Sequence, residues 1–226
     1  NIKFNELFPK DKIKSDFIIK DIKKLDIAKK NEITFFDSVK YKNIALKTKA
    51  SACITSVQLG KYLPKNLHKI LVKNVLVELA RISNILYPFA DIDYPDLSIN
   101  KPSKVDFKKV RFGNNVIVRK KTKIGTNSII GSNSIIESNV IIGKNCIIGS
   151  GVIIKNSIIG NNVVIQDNCK IGQKGFGFIP INGKNIKFPH IGKVKIEDQV
   201  EIASSCNIDR GSIADTIIGK NTYLDN

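Results

Sequence analysis

Methionine and tryptophan are absent from this sequence, histidine occurs only twice, and arginine only four times. No stretch of about 18 uncharged apolar residues exists, so no membrane-spanning helix is expected. Charged residues are scattered through the first thirty positions, which leaves no apolar core for a secretory signal. Without a methionine, and starting at Asn1, the chain is expected to lack its natural start. The four cysteines, Cys53, Cys146, Cys169 and Cys206, form no CxxC pair. That spacing argues against a disulfide framework or a zinc site and suits a reducing, cytoplasmic setting. The net charge of +17 invites a nucleic-acid reading. However, only Arg81, Arg111, Arg119 and Arg210 could supply the planar fork that reads bases and phosphates. The abundance of Lys, Asn and Ile points to a biased genome instead. The charge would still attract acidic partners, such as a nucleotide diphosphate or an acidic carrier protein.

What is present is a strict count of six. From Phe112 it lands on Val118, Ile124, Ile130, Ile136, Ile142, Ile148 and Ile154. One residue is then dropped, and the beat resumes at Ile159, Ile165 and Ile171, later at Ile196, Ile202 and Ile208, and again at Ile218 and Leu224. Glycine often follows, as at Gly113, Gly125, Gly131, Gly143 and Gly149, and a small or β-branched residue lies two places before. Two inward residues flanking one outward residue describe a very short strand, and the glycine and polar residues after it describe a corner. Three such sides make a triangular coil of about 18 residues, stacked at roughly 4.8 Å. Neither a helical nor a simple two-residue period explains a strict six. A parallel β-helix is therefore predicted, with Ile124, Ile142 and Ile159 piled around a common axis. Cys146, Cys169 and Cys206 fall on the small inward position and read as core residues, not as ligands or nucleophiles.

The beat lapses over 172–194, "GQKGFGFIPINGKNIKFPHIGKV", a Gly- and Pro-marked loop excursion. Phe176 and Phe178 are expected to fold back onto the coil or onto a neighbouring subunit, because both are costly to leave in water. A lone GxG outside a strand–GxGxxG–helix context says little about phosphate. Residues 1–100 carry no six-beat. Short strands are predicted over 50–56 and 69–75, followed by an amphipathic helix over 75–87 that stops at Tyr87 because Pro88 follows. A proline-punctuated linker covers 94–103. The predicted organisation is thus a small α/β domain, 1–100, and a β-helix, 101–226. Within "ITFFDSVKY" (33–41), Phe35, Phe36 and Tyr41 form either a core strand with its turn or an aromatic pair for a planar ring.

These segments in this order, "ITFFDSVKY", the hexads, "GFGF" and "IDRGSIADTIIGKNTYLDN", resemble the UDP-3-O-(3-hydroxyacyl)glucosamine N-acyltransferases of lipid A assembly over nearly the whole chain. The hexads alone are shared by many acyltransferases; the excursion, the "IDRG" and "DTIIG" segments and the front domain are more specific. The resemblance implies a homotrimer of left-handed β-helices that moves a 3-hydroxyacyl chain from acyl carrier protein to the 2-amine of UDP-3-O-acyl-glucosamine, with no cofactor. It implies uracil held between Phe35 and Tyr41 and a uracil contact from Ser38, which stands where the family commonly has asparagine. It implies that Asp225 and Asn226 line the sugar site. Lys174 stands where the family loop often has aspartate.

The chemistry needs a base for the attacking amine and a backbone N–H for the tetrahedral oxyanion. Histidine suits the first role near neutral pH. By the resemblance, that histidine lies a few residues past "LDN", so the β-helix is expected to be incomplete at its C-terminus and the piece incapable of turnover. His68 reads as a surface or packing residue, and His190 as a weak substitute for the base. A coenzyme A-dependent sugar-nucleotide acetyltransferase would open with a glycine-rich turn, yet Gly60 is the only glycine among the first hundred residues. The related long-chain O-acyltransferases generally lack the front domain. A hexad-built carbonic anhydrase needs three histidine ligands. A non-catalytic β-helix scaffold would need neither the front domain nor the excursion.

Overall fold

The structure, a computed structural model, describes every residue except 12, 15, 89 and 91–106. The expected linker at 94–103 lies outside the described residues. The chain divides into two compact units: Asn1–Ile92 with Phe176–Pro189, and Asp93–Gly175 with His190–Asn226.

The front unit is built on a four-stranded parallel sheet of Asp21–Ile22, Glu32–Phe36, Ala52–Thr55 and His68–Leu71, in sequence order. Parallel neighbours require crossovers. These include the short helices Lys42–Ala45 and Val57–Gly60. The long helix Val75–Leu86 is capped by Asn74, whose side chain accepts from the Val77 N–H at 3.1 Å; such caps are worth about 1 kcal/mol. It ends as the sequence predicts, with Tyr87 as its C-cap. Phe4, Leu7, Ile22, Ile33, Ile54, Ile70, Leu79 and Ile82 are completely buried. Two-residue strands at Ile2–Lys3 and Ile18–Ile19 pair antiparallel and escape any periodicity argument.

In the second unit the six-beat becomes three faces of parallel strands. One face runs Arg111–Phe112, Ile129–Ile130, Ile147–Ile148, Val164–Ile165, Glu201–Ile202 and Tyr223–Leu224. Each of the other two faces stacks five strands. Ile142 registers with Ile124 on one side and Ile159 on the other, and Ile159 with Ile196. The predicted column therefore exists. Ile130, Ile136, Ile154, Ile165 and Ile171 are fully buried, each contributing about 1.5–3 kcal/mol.

The corners divide their work between two residue types. Left-handed φ falls mostly on asparagine: Asn115, Asn127, Asn133, Asn139, Asn145, Asn162 and Asn168 lie between 55° and 64°. Asparagine tolerates this region because its short polar side chain bonds locally. Some of these side chains also stack into ladders, Asn127 to Asn145 at 3.3 Å and Asn145 to Asn162 at 3.2 Å. The glycines after the inward isoleucines serve close approach instead. A Cβ on Gly149 would lie 2.4 Å from Asp167 Oδ1, and one on Gly160 would lie 2.4 Å from Asp198 Oδ1. Those carboxylates accept from the Ser150 and Asn161 backbone N–H groups, each at 2.7 Å. Glycine thus makes room for a side chain from the next coil to satisfy a corner donor.

Candidate functional site

The excursion is not an open loop. Phe178–Ile181 and Lys184–Lys187 form an antiparallel hairpin. Its turn is Asn182–Gly183, with φ of 48° and 71°, the left-handed pair that matches strand twist in a two-residue hairpin. Phe176 and Phe178 meet edge to face at 5.6 Å, and Phe176 remains 92% exposed.

The neck of the excursion is locked by "IDRG". The strand Lys170–Lys174 pairs with Asn207–Arg210 through a bulge at Gly172. A Cβ on Gly172 would strike the Lys155 carbonyl oxygen at 1.7 Å, and its φ is +80°. The buried Arg210 guanidinium donates from Nε to the His190 carbonyl at 2.9 Å and from Nη1 to the Gly172 carbonyl at 3.0 Å, tying both ends of the excursion together. The His190 imidazole is buried against Gly175, where a Cβ would lie 2.5 Å from its Cε1. Lys174 Nζ donates to the Gly175 carbonyl at 2.8 Å. From "DTIIG", Asp215 accepts from the Lys193 N–H at 2.8 Å and pairs with Lys195 at 2.7 Å. Sequence reasoning quoted Arg210 within a motif but missed its work; the signal was a rare arginine in a lysine-rich chain.

Phe35 lies on the strand Glu32–Phe36, registered with Ile54 and half-buried, while Phe36 on the opposite face is fully buried. Tyr41 closes the one-turn helix Val39–Tyr41 and is 44% exposed. Ser38 caps that turn, its Oγ accepting from the Lys40 N–H at 3.4 Å. Beside it, Lys42 and Lys61 place ammonium groups 4.6 and 5.1 Å from the Tyr62 ring. His68 sits edge-on to Phe4 at 4.6 Å. Burial lowers its pKa below the ordinary 6.5, with Asp11 opposing.

Asp225 and Asn226 are exposed and follow Leu224 at a corner. The Asn226 N–H donates to Asp225 Oδ1 at 2.9 Å, and the Cys206 thiol donates to the Asp225 carbonyl at 3.5 Å. Cys146 and Cys169 are buried, and burial pushes their thiols above the usual range. Neither has the environment of a nucleophile.

Comparison with known proteins adds to this geometry. The family model described as UDP-3-O-(3-hydroxymyristoyl) glucosamine N-acyltransferase matches residues 16–85, and the bacterial transferase hexapeptide model, six repeats, matches 121–156. A UDP-3-O-acylglucosamine N-acyltransferase of Prochlorococcus marinus is 37% identical over 246 residues, covering 98% of this chain and 67% of its own. Relatives of that name from Bradyrhizobium sp. and Helicobacter pylori are 36% and 35% identical, covering 96% and 94% of this chain and 63% and 62% of their own. The chain therefore spans about two thirds of the length of these relatives. The match runs through the front sheet, the hexapeptide coils and the latched excursion, and the chain belongs to the UDP-3-O-acylglucosamine N-acyltransferase family.

Proposed function

We propose that this chain is the nucleotide-binding and coil-bearing part of an enzyme that transfers a 3-hydroxyacyl group from acyl carrier protein to the 2-amine of UDP-3-O-acyl-glucosamine, in lipid A assembly. The observation that carries this reading is the continuous relatedness at 37% identity over 98% of the chain. In the reaction the sugar amine attacks the thioester carbonyl, a C–N bond forms, and a tetrahedral oxyanion develops. The C–S bond then breaks, the carrier thiolate leaves, and a base takes the proton from nitrogen. An oxyanion of this kind is held by a preorganised backbone N–H. No covalent enzyme intermediate is needed.

In this proposal Phe35 and Tyr41 hold the uracil ring, and Ser38 maintains the turn that carries Tyr41. Lys42 and Lys61 supply positive charge suited to a diphosphate. Asp225 and Asn226 line the sugar site. The coils are left-handed and assemble as a homotrimer, and the reaction takes place in the cytoplasm. The front α/β domain covers 1–100 and the acyltransferase coil 101–226. Among the described residues no helix is long and apolar enough to cross a membrane.

Calorimetric titration with UDP-N-acetylglucosamine tests the pocket. Phe35→Ala and Tyr41→Ala should each weaken binding by about tenfold, the scale of one lost stacking contact. Unchanged affinity in both variants would reject the assigned residues.

A further inference from the structure

We infer that Cys206 is a positioning residue for the Asp225 corner, an assignment that rests on the reading of Asp225 as a site residue. The small inward positions of the coil do more than fill space. Thr122 Oγ1 donates to the Glu137 carbonyl at 2.9 Å, Ser128 Oγ to Gly143 at 3.0 Å, and Ser134 Oγ to Gly149 at 2.8 Å. Cys146 Sγ donates to the Gly160 carbonyl at 3.1 Å and Cys169 Sγ to Ala203 at 3.0 Å. In each case the acceptor belongs to the residue just after the inward residue of the next coil. The hydroxyl or thiol is a vertical staple from one coil to the corner above it.

Cys206 makes the same staple, to the carbonyl of Asp225 at 3.5 Å. Ala203 and Asp225 occupy equivalent corners on successive coils, since the Ala203 N–H donates to Leu224 O one coil away. Cys169 and Cys206 therefore perform the same act at neighbouring levels. Only the upper one reaches a residue assigned to the site. Fixing the carbonyl fixes the Asp225 backbone, and the carboxylate on that backbone also accepts from the Asn226 N–H at 2.9 Å. A thiol is a weak donor, and a hydroxyl does the same work more strongly.

The inference separates a donor from a shape. Cys206→Val puts a β-branched apolar filler at the position and removes the donor, whereas Cys206→Thr has the shape of valine and supplies a donor. Cys169→Val removes the equivalent staple one coil lower. Acyl transfer by the complete gene product should show kcat about tenfold lower in Cys206→Val with KM nearly unchanged, the signature of a misplaced group. Cys206→Thr should stay within about twofold of wild type, and so should Cys169→Val although it lowers the urea midpoint. A wild-type kcat in Cys206→Val, a Cys206→Thr as slow as Cys206→Val, or an equal slowing in Cys169→Val would overturn the assignment. Amide hydrogen exchange reads the same staple without turnover. The Asn226 amide should exchange about tenfold faster in Cys206→Val and at the wild-type rate in Cys169→Val. Unchanged Asn226 exchange in Cys206→Val overturns the inference, even in a protein that transfers no acyl group. A complete absence of transfer in the unsubstituted protein, with the exchange effect present, instead refutes the proposed function.

Discussion

Gly149→Ala puts the corner geometry to a quantitative test. The new Cβ would lie 2.4 Å from Asp167 Oδ1, 2.7 Å from the Asp167 backbone nitrogen and 2.8 Å from the Gln166 carbonyl carbon. The carboxylate can swing away, but the backbone atoms cannot move without separating two coils. Loss of the Asp167–Ser150 bond, 2.7 Å and charge-assisted, costs about 1.5–3 kcal/mol. The remaining overpacking costs about 1–3 kcal/mol. The reduced freedom of the unfolded chain returns about 0.4–1 kcal/mol. The net expectation is a destabilisation of about 2–5 kcal/mol, read as a fall in the urea midpoint at constant slope. Asp167→Ala alone should lose about 1.5–3 kcal/mol, whereas Asp167→Asn, which keeps an acceptor, should lose much less. The Gly149→Ala, Asp167→Ala double variant should be more stable than the sum of the single losses predicts, because the carboxylate contact is counted in both. A Gly149→Ala midpoint equal to wild type would refute the claim that glycine is there for close approach.

Ile142→Ala, in the middle of the Ile124–Ile142–Ile159 column, should cost about 2–5 kcal/mol in the same measurement. His68 makes stability depend on pH. Its folded pKa lies below 6.5 because burial disfavours the charged ring, so the unfolded chain binds more protons. Stability should be full above pH 6.5 and fall as pH drops from there toward the lowered value. His68→Gln should flatten that part of the profile, and an unchanged profile would remove His68 as its source.

The coil was legible because its geometry admits no variation. An inward residue every sixth position, with one dropped after Ile154, follows from a triangle whose sides each hold one short strand, and Ile142 and Ile159 register as the count requires. The role of glycine was less legible, because a glycine at a corner suggests a turn. The positive φ falls on asparagines such as Asn127 and Asn145, while Gly149 and Gly160 are required by contacts with Gln166 and Asp167, and with Glu197 and Asp198, on the next coil. The hairpin at 178–187 was hidden by its own composition. Glycine and proline suggested a loop, yet Asn182–Gly183 between Ile181 and Lys184 is a two-residue hairpin signal. The rarity of arginine marks Arg210 in the sequence, but its partners are not marked, because the latch unites Gly172, His190 and Arg210 across the excursion. In "ITFFDSVKY" the strand and its turn are both present, Glu32–Phe36 and Val39–Tyr41. The ligand role of Phe35 and Tyr41 depends on chemistry that periodicity does not encode.

The most direct measurement is mass spectrometry of the product formed by the complete gene product from UDP-3-O-acyl-glucosamine and a 3-hydroxyacyl carrier protein. The account predicts a nucleotide sugar heavier by one 3-hydroxyacyl group in amide linkage, stable to mild alkaline hydrolysis, with free carrier thiol released in equal amount. Acylation only from coenzyme A, an alkali-labile ester product, or no acylation at all would contradict it.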